Sequence, residues 1–165
     1  MKLKNLIIGL IIMFSVILLD QTTKILFDII LIHEGKYIEV IPNFFKFELV
    51  KNTGMSFGLL KGQFELFMAI TIIATIIFIV MCYFADFKKA PFYSVSVYFM
   101  VGGMIGNLID RIFRPNHAVI DFISFSFFKA IFNVADCFLV IGVAMLMFDI
   151  LFLESKRKEK EFIND

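Results

Sequence analysis

The sequence predicts an all-α membrane protein: four transmembrane helices with a small extracytoplasmic β-sheet. Three observations predict it. Sixty per cent of the 165 residues are apolar or aromatic and 23 are Phe, where soluble chains run at roughly 45–50% even with Gly counted. A water-soluble ball this small cannot hide that much apolar surface. Four apolar stretches, about 5–26, 64–84, 91–110 and 132–153, are long enough or nearly so to cross a hydrocarbon layer of about 30 Å. Between them lie segments in which apolar and polar residues take turns, as in strands. A mean hydropathy of +0.89 excludes disorder. The net charge of +1 gives no field for gathering nucleic acid. The length suits one domain, residues 1–165.

The first helix needs the most justification. Leu6–Leu19 is 14 residues, which at about 1.5 Å each covers only about 21 Å. To cross, the helix must continue through Asp20 toward Ile25 or beyond, which places Asp20 at or just inside one membrane boundary. Lys2 and Lys4 before an apolar run would also suit a cleaved signal peptide. No small-x-small cleavage site follows, so the helix is expected to be retained. The external segment 27–63 contains Tyr37–Ile41 and Phe45–Leu49, which alternate about a Pro42-Asn43 turn and read as a small antiparallel sheet. The second helix carries one charge, Glu65, and the third none between Phe92 and Ile109. The external segment 111–131 alternates from Val119 to Ser126. The fourth helix contains Asp136 and Asp149, the latter read as an interfacial or helix-terminal charge, and the tail 154–165 reads as a solvated end.

Cys82 and Cys137 fall at opposite ends of their helices, too far apart to bridge. Orientation follows from Lys and Arg near helix ends. One side carries Lys2, Lys4, Lys88, Lys89, Lys156, Arg157, Lys158 and Lys160. The other carries Lys24, Lys36, Lys46, Lys51, Lys61, Arg111, Arg114 and Lys129. The first set crowds into two tails and one short loop, so both termini are expected in the cytoplasm.

An ionisable group in a spanning segment is a functional-site hypothesis by default. Polar and ionisable side chains gather here at one level: Asp20, Asn107, Asp110, Arg111, Asn133 and Asp136 at helix ends, and Asp121 in the external segment joining the third and fourth helices. Asn133 and Asp136 are i and i+3, and Asn107, Asp110 and Arg111 are i, i+3 and i+4, so each set is expected to share a helix face. Gly102 and Gly106, widened by Gly103, form a small-xxx-small notch for a neighbouring helix. His33 and His117 are lone loop histidines without a third ligand, so no metal site is read. Ser56 and Lys61 would make a Ser–Lys pair only if something fixed the base. Carboxylates remain. Two aspartates held close share a proton: the ionised one takes a proton from water, and the protonated one polarises a peptide carbonyl. Asp121 and Asp136 are the candidate pair. Spacing alone also allows Asp121 to be a turn residue and Asp136 a buried partner of Arg111.

These residues resemble the lipoprotein signal peptidases, the signal peptidase II family. Asp20-Gln21-Thr22-Thr23-Lys24 resembles the family's DQxTK, and Asn52-Thr53-Gly54-Met55-Ser56-Phe57-Gly58 its NxGxxFG loop. Gly102 to Arg111 is similar to GGxxGNxxDR, Val119 to Ile123 to VxDFI, and Phe132 to Asp136 to FNxAD. Met55, Ser56 and Met104 depart toward larger or more polar side chains. The resemblance implies a membrane aspartyl endopeptidase of the bacterial plasma membrane, without a cofactor. It would remove signal peptides from diacylglyceryl-modified prolipoproteins by cutting before the lipidated cysteine. Its partners are then that substrate and membrane lipid, with no nucleic acid, and it would act as a monomer. It carries the catalytic roles onto Asp121 and Asp136 and the supporting roles onto Asp20, Asn52, Gly54, Asn107, Arg111 and Asn133. Gly102, Gly106 and Asp110 read as structural. Arg111 would pair with an acid such as Asp110 or brace loop backbone, and the loop near Asn52 would lie over the peptide as a lid. Two other classes compete: a small transporter or channel subunit using its acids as a relay, and an assembly protein whose polar cluster only locks helices. A relay should place acids at several depths, whereas here they bunch at one face.

Overall fold

In the computed structural model, which describes residues 2–33, 37–54 and 64–164, the first helix does not stop near residue 26. It continues as α1 (Leu3–His33), 31 residues long, about 46 Å at 1.5 Å per residue. The polar residues that interrupt the apolar run find buried partners, and the apolar residues beyond them find a sheet. Phe27 stacks on Phe122 at 4.3 Å and on Phe47 at 4.4 Å. Leu31 is buried against Ile120 and Phe122.

That sheet is antiparallel, in the order β1 (Tyr37–Ile41), β2 (Phe45–Asn52), β3 (Val119–Phe125), β4 (Ile131–Phe132). The β1–β2 turn closes with Phe44 N–H on the Ile41 carbonyl at 3.0 Å. Asn43 sits there at φ 55, a left-handed conformation that Asn tolerates. Between the pairs Phe47↔Ile123 and Val50↔Asp121 the register slips. This bulge lies directly beside Asp121, where such a feature re-aims side chains.

Among the described residues four helices are long and apolar enough to cross a bilayer. They are α1, α2 (Phe64–Cys82), α3 (Pro91–Phe113) and α4 (Val134–Phe148) with its continuation. The most buried is α3, which packs against the other three. Its glycines allow this. A Cβ on Gly102 would lie 2.9 Å from Val16 of α1, and one on Gly103 2.6 Å from the Ala135 carbonyl of α4. At Gly106 both neighbours converge, with the Asp20 carboxylate at 2.6 Å and Ala135 Cβ at 3.4 Å. Buried Ser94 and Ser96 return their hydroxyls to the carbonyls of Ala90 and Tyr93, so neither hydroxyl is left unbonded between helices.

After Phe148 the helix runs through one π turn (Asp149–Leu153) into α5 (Glu154–Asn164). Asp149 stands at the end of α4 as its C-cap. It is buried, and the Arg157 guanidinium grips both its oxygens, at 2.8 and 2.6 Å. The tail is helical, and its described residues are mostly exposed. Cys82 and Cys137 are free thiols. Outside, Ile7, Ile11, Phe14 and Leu18 of α1 and Ile73, Ile76, Ile77 and Val80 of α2 are exposed, the surface a bilayer would cover.

Candidate active site

The start of α4 builds the centre. Asn133 is not inside the helix, as the i, i+3 reading had it. Its backbone is extended and it caps the helix, because its side-chain oxygen accepts the Asp136 N–H at 2.9 Å. Asp136 answers by accepting the Asn133 N–H on Oδ2 at 3.2 Å, a reciprocal cap. The Asn133 amide Nδ2 remains free to donate outward. It reaches Asp121 Oδ1 at 2.6 Å and Asn107 Oδ1 at 3.1 Å. One asparagine thus touches both aspartates, through its carbonyl side on α4 and its amide side on β3.

Each aspartate has a second donor. Asn107 Nδ2 gives a hydrogen bond to Asp136 Oδ1 at 2.8 Å, and Asn52 Nδ2 gives one to Asp121 Oδ2 at 2.9 Å. Asn52 is aimed by its own turn, since its Oδ1 accepts the Gly54 N–H at 3.0 Å. Gly54 touches neither aspartate, and a Cβ there would meet nothing within 4 Å. Burial pushes the Asp121 carboxyl up to about 7; the Asn52 amide opposes this and the Asp136 charge adds to it. A carboxyl in that range holds its proton through much of the neutral region.

Behind the pair lies a buried cation. Lys24 is fully buried, and its Nζ contacts Asp20 at 2.8 Å, Asp110 at 2.9 Å and Asn107 Oδ1 at 2.9 Å. Three acceptors meet three N–H donors. Asp20 also accepts the Ala135 N–H at 2.8 Å, so α1 caps a second free amide of α4. Asp110 accepts the Ile120 N–H at 3.3 Å and Arg114 Nε at 2.9 Å, tying α3 to the strand that carries Asp121. Gln21 donates to the Gly106 carbonyl at 3.0 Å and to Asp110 at 3.3 Å. Lys24, Gln21 and Arg114 were not singled out from the sequence as site residues. The signal was there for two of them: Lys24 and Arg114 each follow an acid by four residues.

Arg111 does not pair with Asp110, whose oxygens are taken by Lys24 and Arg114. Nor is Asp136 its ion-pair partner among the described residues. Its guanidinium donates to the Asn107 carbonyl at 3.1 Å and lies 4.7 Å over the Phe67 ring of α2. His117 donates from Nδ1 to the Arg111 carbonyl at 2.7 Å, since a carbonyl oxygen only accepts, and stacks on Phe64 at 4.6 Å. Together these two side chains dock the start of α2. Ser56, Lys61 and residues 55–63 of the loop read as a lid lie outside the described residues. Among the described residues no three His, Cys, Asp or Glu side chains come together as a metal site. The gap between Asp20 and Asp110 is bridged by the Lys24 ammonium.

Residues 12–152 match the family described as Signal peptidase (SPase) II. The chain is 38% identical over 144 residues to a protein of Caldanaerobacter subterraneus subsp. tengcongensis named lipoprotein signal peptidase, covering 87% of this chain and 96% of that one. It is 35% identical over 147 residues to the like-named protein of Fusobacterium nucleatum, covering 87% and 86%. A solved bacterial membrane enzyme superposes with a TM-score of 0.73 at 32% identity, covering 87% of each chain. A second does so with 0.72 at 33%, covering 88% of this chain and 93% of that one.

Proposed function

Because the chain belongs to the signal peptidase II family, a family of bacterial membrane proteases that process lipoproteins, we propose that Asp121 and Asp136 are its catalytic pair. The scissile bond would be the one before a diacylglyceryl-modified cysteine. The observation that carries this is Asn133, which bonds both carboxyl groups at once and so ties the start of α4 to β3.

The pair holds one proton. Below a pH of about 7 it resides on Asp121, which donates to the oxygen of the scissile carbonyl. The ionised partner takes a proton from a water, whose oxygen attacks the carbonyl carbon. Collapse of the tetrahedral intermediate breaks the C–N bond, and a proton from the pair passes to the leaving amine. The free carboxylate of the signal peptide and the amine of the lipidated cysteine are the products. Asn107 and Asn52 orient the carboxyls, while Asp20, Lys24 and Asp110 hold α1, α3, α4 and β3 in register. The diacylglyceryl chains stay in bilayer between helices. In this reading the sheet and the aspartates face the extracytoplasmic side, both termini are cytoplasmic, and one chain suffices for one site.

Incubation with a diacylglyceryl-modified prolipoprotein and an unlipidated control, read by mass shift, tests it. The lipidated substrate is cut and the control is not. Asp121→Asn and Asp136→Asn each reduce turnover by on the order of 10³-fold or more while the protein still inserts and unfolds cooperatively. Substantial activity in either variant would remove that aspartate from the mechanism.

A further inference from the structure

At the end of the bundle opposite the aspartates, the first turn of α1 and the loop between α2 and α3 enclose a cavity of about 620 Å³. That volume lies within the range of built ligand sites, about 300–1,000 Å³. Lys2 and Lys4 line it from one side, Lys88 and Lys89 from the other, and Asp86 is the one acid, so three positive charges are in excess. The acid is turned to its own loop: Asp86 Oδ1 accepts the backbone N–H groups of Lys88 and Lys89 at 2.9 and 3.2 Å. The two walls are fastened together. Asn5, itself buried, donates from Nδ2 to the Ala85 carbonyl at 3.3 Å, and Phe87 at the cavity wall stacks on the buried Tyr98 ring.

We propose that this cavity seats the headgroup of an anionic phospholipid. Lysines crowded on one side of a membrane protein would by themselves only orient the chain. Four of them around a walled cavity, held across it by a buried asparagine, form a site for a phosphodiester. The neighbouring surface suits the rest of the molecule. Leu3 and Ile7 on α1 and Tyr83 and Phe84 at the end of α2 are exposed, an apolar and aromatic rim where acyl chains leave a headgroup. A free phosphate would match the charge and leave that rim unused.

Full-length protein in phosphatidylcholine nanodiscs doped with phosphatidylglycerol of the same acyl chains, read by native mass spectrometry, tests the site. Phosphatidylglycerol is retained in preference to phosphatidylcholine and saturates at one molecule per chain. Lys88→Gln with Lys89→Gln, or Lys2→Gln with Lys4→Gln, lowers that preference by about 25-fold, since each lysine contributes about fivefold near an anionic surface. Lys88→Arg with Lys89→Arg retains it, as does Lys156→Gln with Lys158→Gln on α5, away from the cavity. Inorganic phosphate added alone neither displaces the lipid nor raises the melting temperature. The proposal is overturned by equal retention of the two lipids, by uptake that rises without saturating, by preference that survives both glutamine pairs, or by phosphate replacing the lipid. Saturation and phosphate competition are read on the unaltered protein, so they decide the matter even where a glutamine pair fails to insert.

Discussion

Lys24 places a full positive charge where no water reaches it, and the contacts around it set what its loss costs. Its ammonium satisfies Asp20, Asp110 and Asn107 together. Lys24→Met leaves two buried carboxylates short of a counter-charge, and breaking such a pair costs about 3–5 kcal/mol. We expect a large fall in melting temperature in detergent, accompanied by lost turnover, because Asn107 loses the group that orients it against Asp136. Asp121 gives a second prediction. Its carboxyl titrates at about 7 in the fold and near 3.9 in the unfolded chain. Between pH 4 and 7 the folded state keeps a proton that the unfolded state has released. The contribution to stability is therefore complete below pH 4 and is lost as pH rises to about 7. Asp121→Asn has no such dependence, so its melting temperature relative to the parent should climb across that window. In the parent, kcat/KM should descend above a pH near 7, as the pair gives up its shared proton. A flat difference in melting temperature across the window would contradict the buried, protonated Asp121. At this scale Asp136 is legible in the sequence as an acid where lipid should forbid it, and Asp121 as a carboxylate in the external segment that can fold back to it. The burial of Lys24 is not, because hydropathy scores a lysine by its affinity for water and is blind to a partner on another helix.

The start of α4 shows how one element serves two purposes. Asn133 is an N-cap by its carbonyl oxygen and a bridge to Asp121 by its amide. Asn133→Ala removes both; the cap alone is worth about 1 kcal/mol, so the stability loss should be modest and the loss of turnover severe. Asn133→Asp keeps the cap and removes only the bridge. Aspartate caps as well as asparagine but sets a second buried carboxylate against Asp121 in place of a donor, so cleavage should be lost and the melting temperature should fall as that carboxylate ionises. Unchanged turnover in Asn133→Asp would show that the bridge is not needed. The hairpin of β1 and β2 is legible from alternation about Pro42-Asn43, since its pairing is local. The pairing of Val50 with Asp121 is not legible, because it joins segments on either side of α2 and α3, and periodicity carries no information about which strand lies next to which. The end of α1 is hard to place from the sequence for a related reason. Asp20 and Lys24 look like the edge of a span until α3 and α4 supply their partners, and Phe27 and Leu31 look like loop residues until β3 covers them.

At the scale of the molecule, α1 is one unbroken rod from the lysines at one end to the sheet at the other. Asp20 stands 17 residues beyond Leu3, about 26 Å along the axis, so with Leu3 at one edge of a hydrocarbon layer of about 30 Å the acids would lie just short of the other. With the cationic end moored at one headgroup plane, the rod works as a depth gauge. In proteoliposomes of increasing acyl length, cleavage should pass through a maximum. Thin bilayers lift the carboxyl pair out among the headgroups, and thick ones drown it in hydrocarbon unless the helices tilt. A rate indifferent to acyl length would mean that the bundle deforms the lipid around itself. If the maximum appears, host-membrane thickness becomes a setting on which precursors are matured, imposed by nothing more than the length of a helix.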